Sequence, residues 1–154
     1  MPIEMRFESV VSGPLDVVAD RALSVPGAND ELWPLAKVTF SVPLERDTPP
    51  EDVVGRAIDS WFYAAGIIPI GRRRVTIEVF EPTRFKECSD SWMQGHVCHE
   101  RACVAVGDGA TRVTDTLVAE PRDHIRDALL RIGTATTFRR RHRRLQRHFG
   151  KKVR

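Results

Sequence analysis

Residues 99–150 read HERACVAVGDGATRVTDTLVAEPRDHIRDALLRIGTATTFRRRHRRLQRHFG, and the logic of the fold lies in them. The first half alternates about a turn. HERACVAV runs out, GDGA suits the positive φ of a hairpin, and TRVTDTLVAE returns. Pro121 ends the sheet, and the segment that follows keeps helical spacing up to Gly150, which suits a C-cap. On a 100° wheel Ala128, Ile132, Ala135, Phe138, His142, Leu145 and Phe149 share one face. Arg140, Arg143, Arg144, Arg147 and Lys151 take the opposite one. Ile125 and Leu129 fall off the stripe, which predicts a kink or a change of packing near Gly133. The small residues Gly133 and Ala135 leave room between helix and sheet.

Toward the N-terminus the pattern is complementary. IEMRFESVV sets Ile3, Met5, Phe7 and Val11 against Glu4, Arg6 and Glu8, the alternation of a half-buried strand. Pro14 opens a short helix, LDVVADRAL. Pro26-Gly27 is read as its break, and Asn29 or Asp30 as the cap of a second short helix, ELWPL. AKVTFSV is a strand with Val38, Phe40 and Val42 on one face, and PLERDTPPED a surface loop. DSWFYAAGIIPIG reads as one buried strand, with a short helix as the alternative. RRRVTIEVFEP has Val75, Ile77 and Val79 inward, and FKECSDSW and GHVCHERACVAV follow as further strands. The expected fold is therefore α+β: a curved antiparallel sheet wrapped around the long helix at about 121–149, with two short helices after the first strand. One domain spans 1–150, and residues 151–154 are a basic tail.

Charge is distributed unevenly. Nine of the 24 Lys and Arg lie between Arg139 and Arg154 with no acid among them, leaving 15 against all 21 Asp and Glu in the rest. A polyanion, nucleic acid or an anionic membrane surface, is one explanation of such a run. No helix-turn-helix, zinc-finger or RNA-recognition signature accompanies it, so nucleic acid is not expected. The helical register favours a solvated outer face, with cations near the C-terminus complementing the helix dipole. A peripheral contact with anionic membrane stays as the lesser reading. MPIEMRFESV has no apolar core of a secretory signal, and the longest apolar stretch, WFYAAGIIPI, is too short to span a bilayer. With three cysteines, an odd number, these features predict a cytoplasmic protein with reduced thiols.

Three stretches carry a family resemblance. DSWFYAAGIIPIGRRRVTIEVFEP resembles the aromatic strand, Ile-Pro turn and next strand of bacterial members of the START/SRPBCC helix-grip superfamily. HERACVAVGDGATRVTDTLVAEP is similar to their His-x-Arg strand, hairpin and Thr-Asp-containing strand, and TTFRRRHRRLQRHFG to the end of their last helix. The superfamily includes pollen-allergen proteins, coenzyme Q carriers and polyketide cyclases. The likeness runs from Met5 to Gly150, and one departure is Val97, where relatives often carry an aromatic. It implies a deep apolar cavity between sheet and long helix but no particular reaction, because the fold hosts carriers, sensors and enzymes.

Candidate site residues follow from that cavity. Phe40, Trp61, Tyr63, Ile77 and Trp92 are candidate walls, aromatic residues combining large apolar area with a polar handle. Phe138 and His142 face the sheet from the helix. His99 and Arg101 share a strand face, where Arg can hold an oxyanion and His can move a proton. The alternative is that Arg101 pairs with Asp115 on the next strand, and a bulge at Gly107–Ala110 would change the register that decides between them. His96, Cys98, His99 and Cys103 invite a metal, but alternation splits them two to a face, short of the usual four ligands, so no metal site is expected. No cofactor motif or nucleophile motif is present. The leading expectation is a small protein that holds a hydrophobic or lipid-like molecule in the cavity. A polyketide cyclase or dehydratase-like enzyme using His99, Arg101 and His142 in that cavity is the alternative.

Overall fold

The computed structural model describes residues 2–91, 95–120 and 123–150, apart from the side chains of Ser91, Arg126 and Leu129. The order is β1 (Ile3–Ser12), α1 (Leu15–Ala22), α2 (Val25–Leu32), β2 (Ala36–Phe40), α3 (Pro50–Val53), β3 (Ala57–Ala64), β4 (Ile68–Glu81), β5 (Arg84–Ser91), β6 (Gly95–Ala105), β7 (Ala110–Glu120) and α4 (His124–Phe149). The strands form one antiparallel sheet in the order β1-β7-β6-β5-β4-β3-β2. The sheet curls around α4, and α1 and α2 carry the chain from one sheet edge to the other. This is the helix-grip α+β arrangement.

Local chemistry explains the elements. Gly150, at φ 87°, donates its N–H to the Gln146 carbonyl and closes α4 as a C-cap. Ser24 caps α2 by accepting from the Gly27 N–H at 3.0 Å. Pro26-Gly27 therefore lies inside the first turn of α2 and does not break a helix, a correction of the sequence expectation. Proline is tolerated there because its missing N–H would have no intrahelical partner. Gly27 is required by proximity, since a Cβ would sit 1.9 Å from the Arg21 carbonyl oxygen.

DSWFYAAGIIPIG is not one buried strand. It is a hairpin, with β3 ending at Ala64, a turn through Ala65 and Gly66 at positive φ, and β4 starting at Ile68. Ile67 at the tip is 76% exposed. The apolar run masked the turn because neither period 2 nor a polar break marked it. PLERDTPPED contributes the short α3, and the isolated bridge Val54↔Ile77 ties it beside β4.

The helix wheel holds for the second half of α4 only. Phe138, His142 and Leu145 are buried, whereas Ala128 is exposed and Ile132 is 70% exposed. In the first half the face turned to the sheet runs through Leu130, Thr134 and Thr137. The buried face therefore shifts near Gly133, where the off-stripe residues had suggested a change of packing. Of the basic face, Arg140 and Arg144 both donate to the Trp33 carbonyl, at 3.1 and 2.7 Å, while Arg143 and Arg147 are exposed.

The apolar core is divided. Val11, Val18, Cys103, Val113 and Leu145 pack at one end, and Val53, Ile58, Val75 and Ile77 beside α3. Ile3, Ala119 and Leu130 form a third group, and Leu32, Ala36 and Val38 a fourth. A hollow separates them. The thiols also differ from expectation: Cys88 and Cys98, directly opposed on β5 and β6, form a disulfide, and only Cys103 is free. The expected cytoplasmic setting rested partly on reduced thiols and loses that support. Among the described residues no helix is long and apolar enough to cross a membrane.

Candidate functional site: a cavity above a buried ionic cluster

The hollow is a cavity of about 410 Å³ between the concave face of the sheet and α4. Apolar walls come from Met5, Val38, Phe62, Phe85 and Leu117 on the strands and Leu32 on α2. Leu130, Gly133, Thr134, Thr137 and Phe138 supply the helix side. One part of the wall is polar, formed by Arg73, Glu87, Ser89 and His99. Volume and mixed lining suit a small apolar molecule with a few fixed polar groups.

Of the residues singled out from sequence, Phe40, His99, Arg101 and Phe138 line the cavity. Trp61 does not. Its neighbours Ser60 and Phe62 turn inward, so alternation puts Trp61 on the outer face, 42% exposed. Tyr63 follows the register shift between Phe62 and Tyr63 and is only half-buried, off the cavity. Ile77 is fully buried in the cluster beside α3, behind the cavity wall. Trp92 lies outside the described residues. His142 is buried but sits beneath the cavity wall, its Nδ1 2.7 Å from the Ser9 hydroxyl.

A buried ionic cluster adjoins the cavity, and its His99, Arg101 and Arg141 are part of the lining. Arg101 on β6 faces Asp115 on β7 in direct register and donates from Nε and Nη2 to its two oxygens, at 2.8 and 2.7 Å. Its Nη1 donates to both Glu31 oxygens and to the Ala22 carbonyl. Arg141 of α4 donates to Glu31 at 3.0 Å. His99 Nε2 reaches Asp115 Oδ1 at 2.7 Å. His142 Nε2 lies 2.9 Å from Asp115 Oδ2, close but not aligned as a hydrogen bond. Two guanidinium groups thus meet two carboxylates, and the cluster is neutral when both imidazoles are. Such pairing is what allows charges to remain in an apolar interior.

The pairing between Arg101 and Asp115, weighed as an alternative from sequence, is the one observed. Each of the three Arg101 nitrogens donates to a protein acceptor, so the guanidinium is held by Asp115, Glu31 and the Ala22 carbonyl. Glu31, Arg141 and Ser9 were missed. Glu31 opened a segment whose start was misplaced, and Arg141 hid in an arginine run. His99 stands between the two worlds. With Nε2–H donating to Asp115, its Nδ1 is left as an acceptor, the tautomer that the hydrogen bonds assign. The ring edge packs on Phe138 at 5.1 Å between centroids.

Burial alone would raise the Asp115 carboxyl. The Arg101 guanidinium, joined by contacts from His142, His99 and Arg101 itself, instead holds it well below the usual aspartate value of 3.8. A depressed folded pKa means the stabilisation is fully present above the unfolded value. It is lost as pH falls through the folded one. Unfolding free energy should therefore fall as pH drops below about 4, and Asp115→Asn should flatten that dependence. Equal slopes for the two proteins in urea titrations at pH 2.5–4 would remove Asp115 from this role.

Glu87 marks the polar wall of the cavity. It is 8% exposed, its Oε2 has no hydrogen-bond partner among the described residues, and Arg73 Nη1 lies 3.8 Å from its Oε1. Arg73 Nε is likewise buried without a partner.

A family model described as Domain of unknown function (DUF8410) matches residues 9–149. No curated protein matches the chain. Protein CV1439 from Chromobacterium violaceum is similar in structure, with a TM-score of 0.67 at 15% identity, covering 97% of this chain and 99% of its own. Ara h 8.0201 is similar at a TM-score of 0.60 and 9% identity, over 94% of this chain and 98% of its own. The Zhui aromatase/cyclase from a Streptomyces species scores 0.59 at 13% identity, over 96% and 95%. At such identities the likeness is one of fold, the helix-grip fold.

Proposed function

Since the chain belongs to the DUF8410 family, whose description carries no activity, we propose its function from the cavity. It binds a hydrophobic small molecule that carries at least one hydrogen-bonding group. The observation that carries this reading is the cavity of about 410 Å³ whose apolar walls include the unpartnered Glu87 Oε2 and Arg73 Nε. The apolar body would lie along Leu117, Phe85 and Phe138. A hydroxyl or similar group would reach Glu87 and Arg73. Arg140 and Arg144, engaged with the Trp33 carbonyl, support a structural part for the basic helix face, which therefore has no place in this proposal.

Anilinonaphthalene sulfonate, a fluorophore with an apolar aromatic body and one sulfonate, tests the cavity directly. The native protein should bind it with a stoichiometry of one. Thr137→Trp, which puts an indole into the cavity, should weaken binding on the order of 10- to 100-fold, a loss of roughly 1.4–2.8 kcal/mol. Thr137→Val should bind as the parent does. Absence of saturable binding by the native protein, or equal binding by the Trp variant, would sink the proposal. Mass spectrometry of molecules copurifying with the native protein would identify the ligand class.

A second reading, a polyketide cyclase or dehydratase-like enzyme, draws on one observation. His99 lines the cavity while Asp115 holds its other ring nitrogen, the arrangement of a general base. The name of the Streptomyces aromatase/cyclase fits such chemistry. Under this reading His99→Gln leaves fluorophore binding intact but abolishes turnover of a linear poly-β-ketone thioester. The absence of turnover by the native protein would leave the carrier reading alone.

A further inference from the structure

We propose that Cys88, Cys98 and His96 form a zinc-type metal site on the outer face of the sheet, closed while the Cys88–Cys98 disulfide is intact. Alternation places the site. Val97, His99, Glu87 and Ser89 line the cavity, so Cys88, Asp90, His96 and Cys98 project from the opposite face. One donor atom from each of Cys88, His96 and Cys98 lies within 4.8 Å of the other two. His96 Nε2 is 3.5 Å from Cys98 Sγ. That is about the edge of a tetrahedron built on bonds of roughly 2.0–2.3 Å.

Glu78 borders the three donors from a third strand, on the Cys88 side. The register of β4 on β5 shifts between Ile77 and Val79, which makes Glu78 an extra, unpaired residue. Its Oε1 lies 3.3 Å from Cys88 Sγ. Its Oε2 is 2.5 Å from Lys86 Nζ, a cation that offsets the negative charge of two thiolates and a carboxylate around a divalent ion. Sequence spacing alone missed this set because Cys88 joins His96 and Cys98 only through the pairing of β5 with β6.

A second observation bears on His96. Its Nδ1 is 2.9 Å from Asp90 Oδ1 across the β5–β6 pair. With Nδ1–H donating to that carboxylate, Nε2 presents a lone pair on the Cys98 side. A carboxylate orienting a ligand histidine in this way is the usual outer partner in zinc sites. Two thiolates and an imidazole select zinc over magnesium or calcium, which prefer all-oxygen shells.

Opening the site is a two-electron step. A dithiol reductant is oxidised to its own disulfide, transferring two electrons and two protons, and Cys88 and Cys98 become thiols. The metal then binds both as thiolates, and two protons leave to solvent. Reduction and metal uptake are thereby coupled on the face of the sheet opposite the ligand cavity.

Cobalt(II) and zinc(II) are the probes, added to the full chain before and after reduction under anaerobic conditions. The reduced chain should take up one cobalt with the visible absorption of tetrahedral thiolate coordination, and zinc should displace it. The disulfide form should take up none. His96→Ala, at an exposed position, and Cys98→Ser should abolish that absorption. Asp90→Asn should weaken zinc about 10- to 100-fold, and Cys103→Ala should change nothing. No uptake by the reduced chain, or uptake unchanged in either His96→Ala or Cys98→Ser, overturns the proposal.

Discussion

Arg101→Met should cost about 3–5 kcal/mol of unfolding free energy, the loss typical of breaking a buried ion pair from one side. Arg101 is 2% exposed and serves both Asp115, fully buried, and Glu31, 1% exposed. Burial opposes the Arg101 charge, but the two carboxylates more than offset it and hold the guanidinium above its usual range. Without it, among the described residues, Asp115 keeps the His99 hydrogen bond and the nearby His142 ring, and Glu31 keeps Arg141, itself held below its ordinary range by burial and by Arg101. The loss is a large share of the roughly 5–15 kcal/mol that domains of this size possess. Urea denaturation at pH 7 measures it. Adding Asp115→Leu to Arg101→Met should recover part of the loss, because an apolar pair leaves one buried charge fewer unpaired. A single-variant loss below 1 kcal/mol would show that water or rearrangement already solvates the cluster.

Leu145→Ala should cost about 2–5 kcal/mol, by lost transfer energy and by the void left behind. Leu145 is 1% exposed and joins α4 to Val11, Val18 and Val113, the end of the molecule where helix and sheet meet without a cavity between them. Ile132→Ala, on the same sequence stripe, should change stability by less than about 0.5 kcal/mol because Ile132 is 70% exposed. The pair separates helical periodicity from actual burial. Equal losses at the two sites in parallel urea titrations would mean that the first half of α4 packs like the second.

Much of the architecture was legible in the sequence because its signals are local. The alternation of Ile3, Met5 and Phe7, the Gly-Asp-Gly turn and the Gly150 cap each depend on a few adjacent residues. The site was legible only in part. His99, Arg101, Phe138 and Phe40 reach the cavity wall, but Trp61, chosen for its aromatic ring, faces outward. Ile77 faces inward and still misses the cavity, because α3 covers it. Periodicity tells which side of an element is apolar. It does not tell whether that side meets another side chain or a hollow.

By itself, then, the sequence determined the succession of the strands and the long helix, the α+β class and the apolar character of the inner face, since backbone propensity and period act over a few residues. Tertiary structure alone decided the rest. The β6–β7 register set Arg101 against Asp115, the docking of α2 brought Glu31 beneath them, and the β4 bulge carried Glu78 toward Cys88. These are meetings of residues tens of positions apart. A shift of one residue in strand register sends each side chain to the other face, and no local signal in the chain measures that shift.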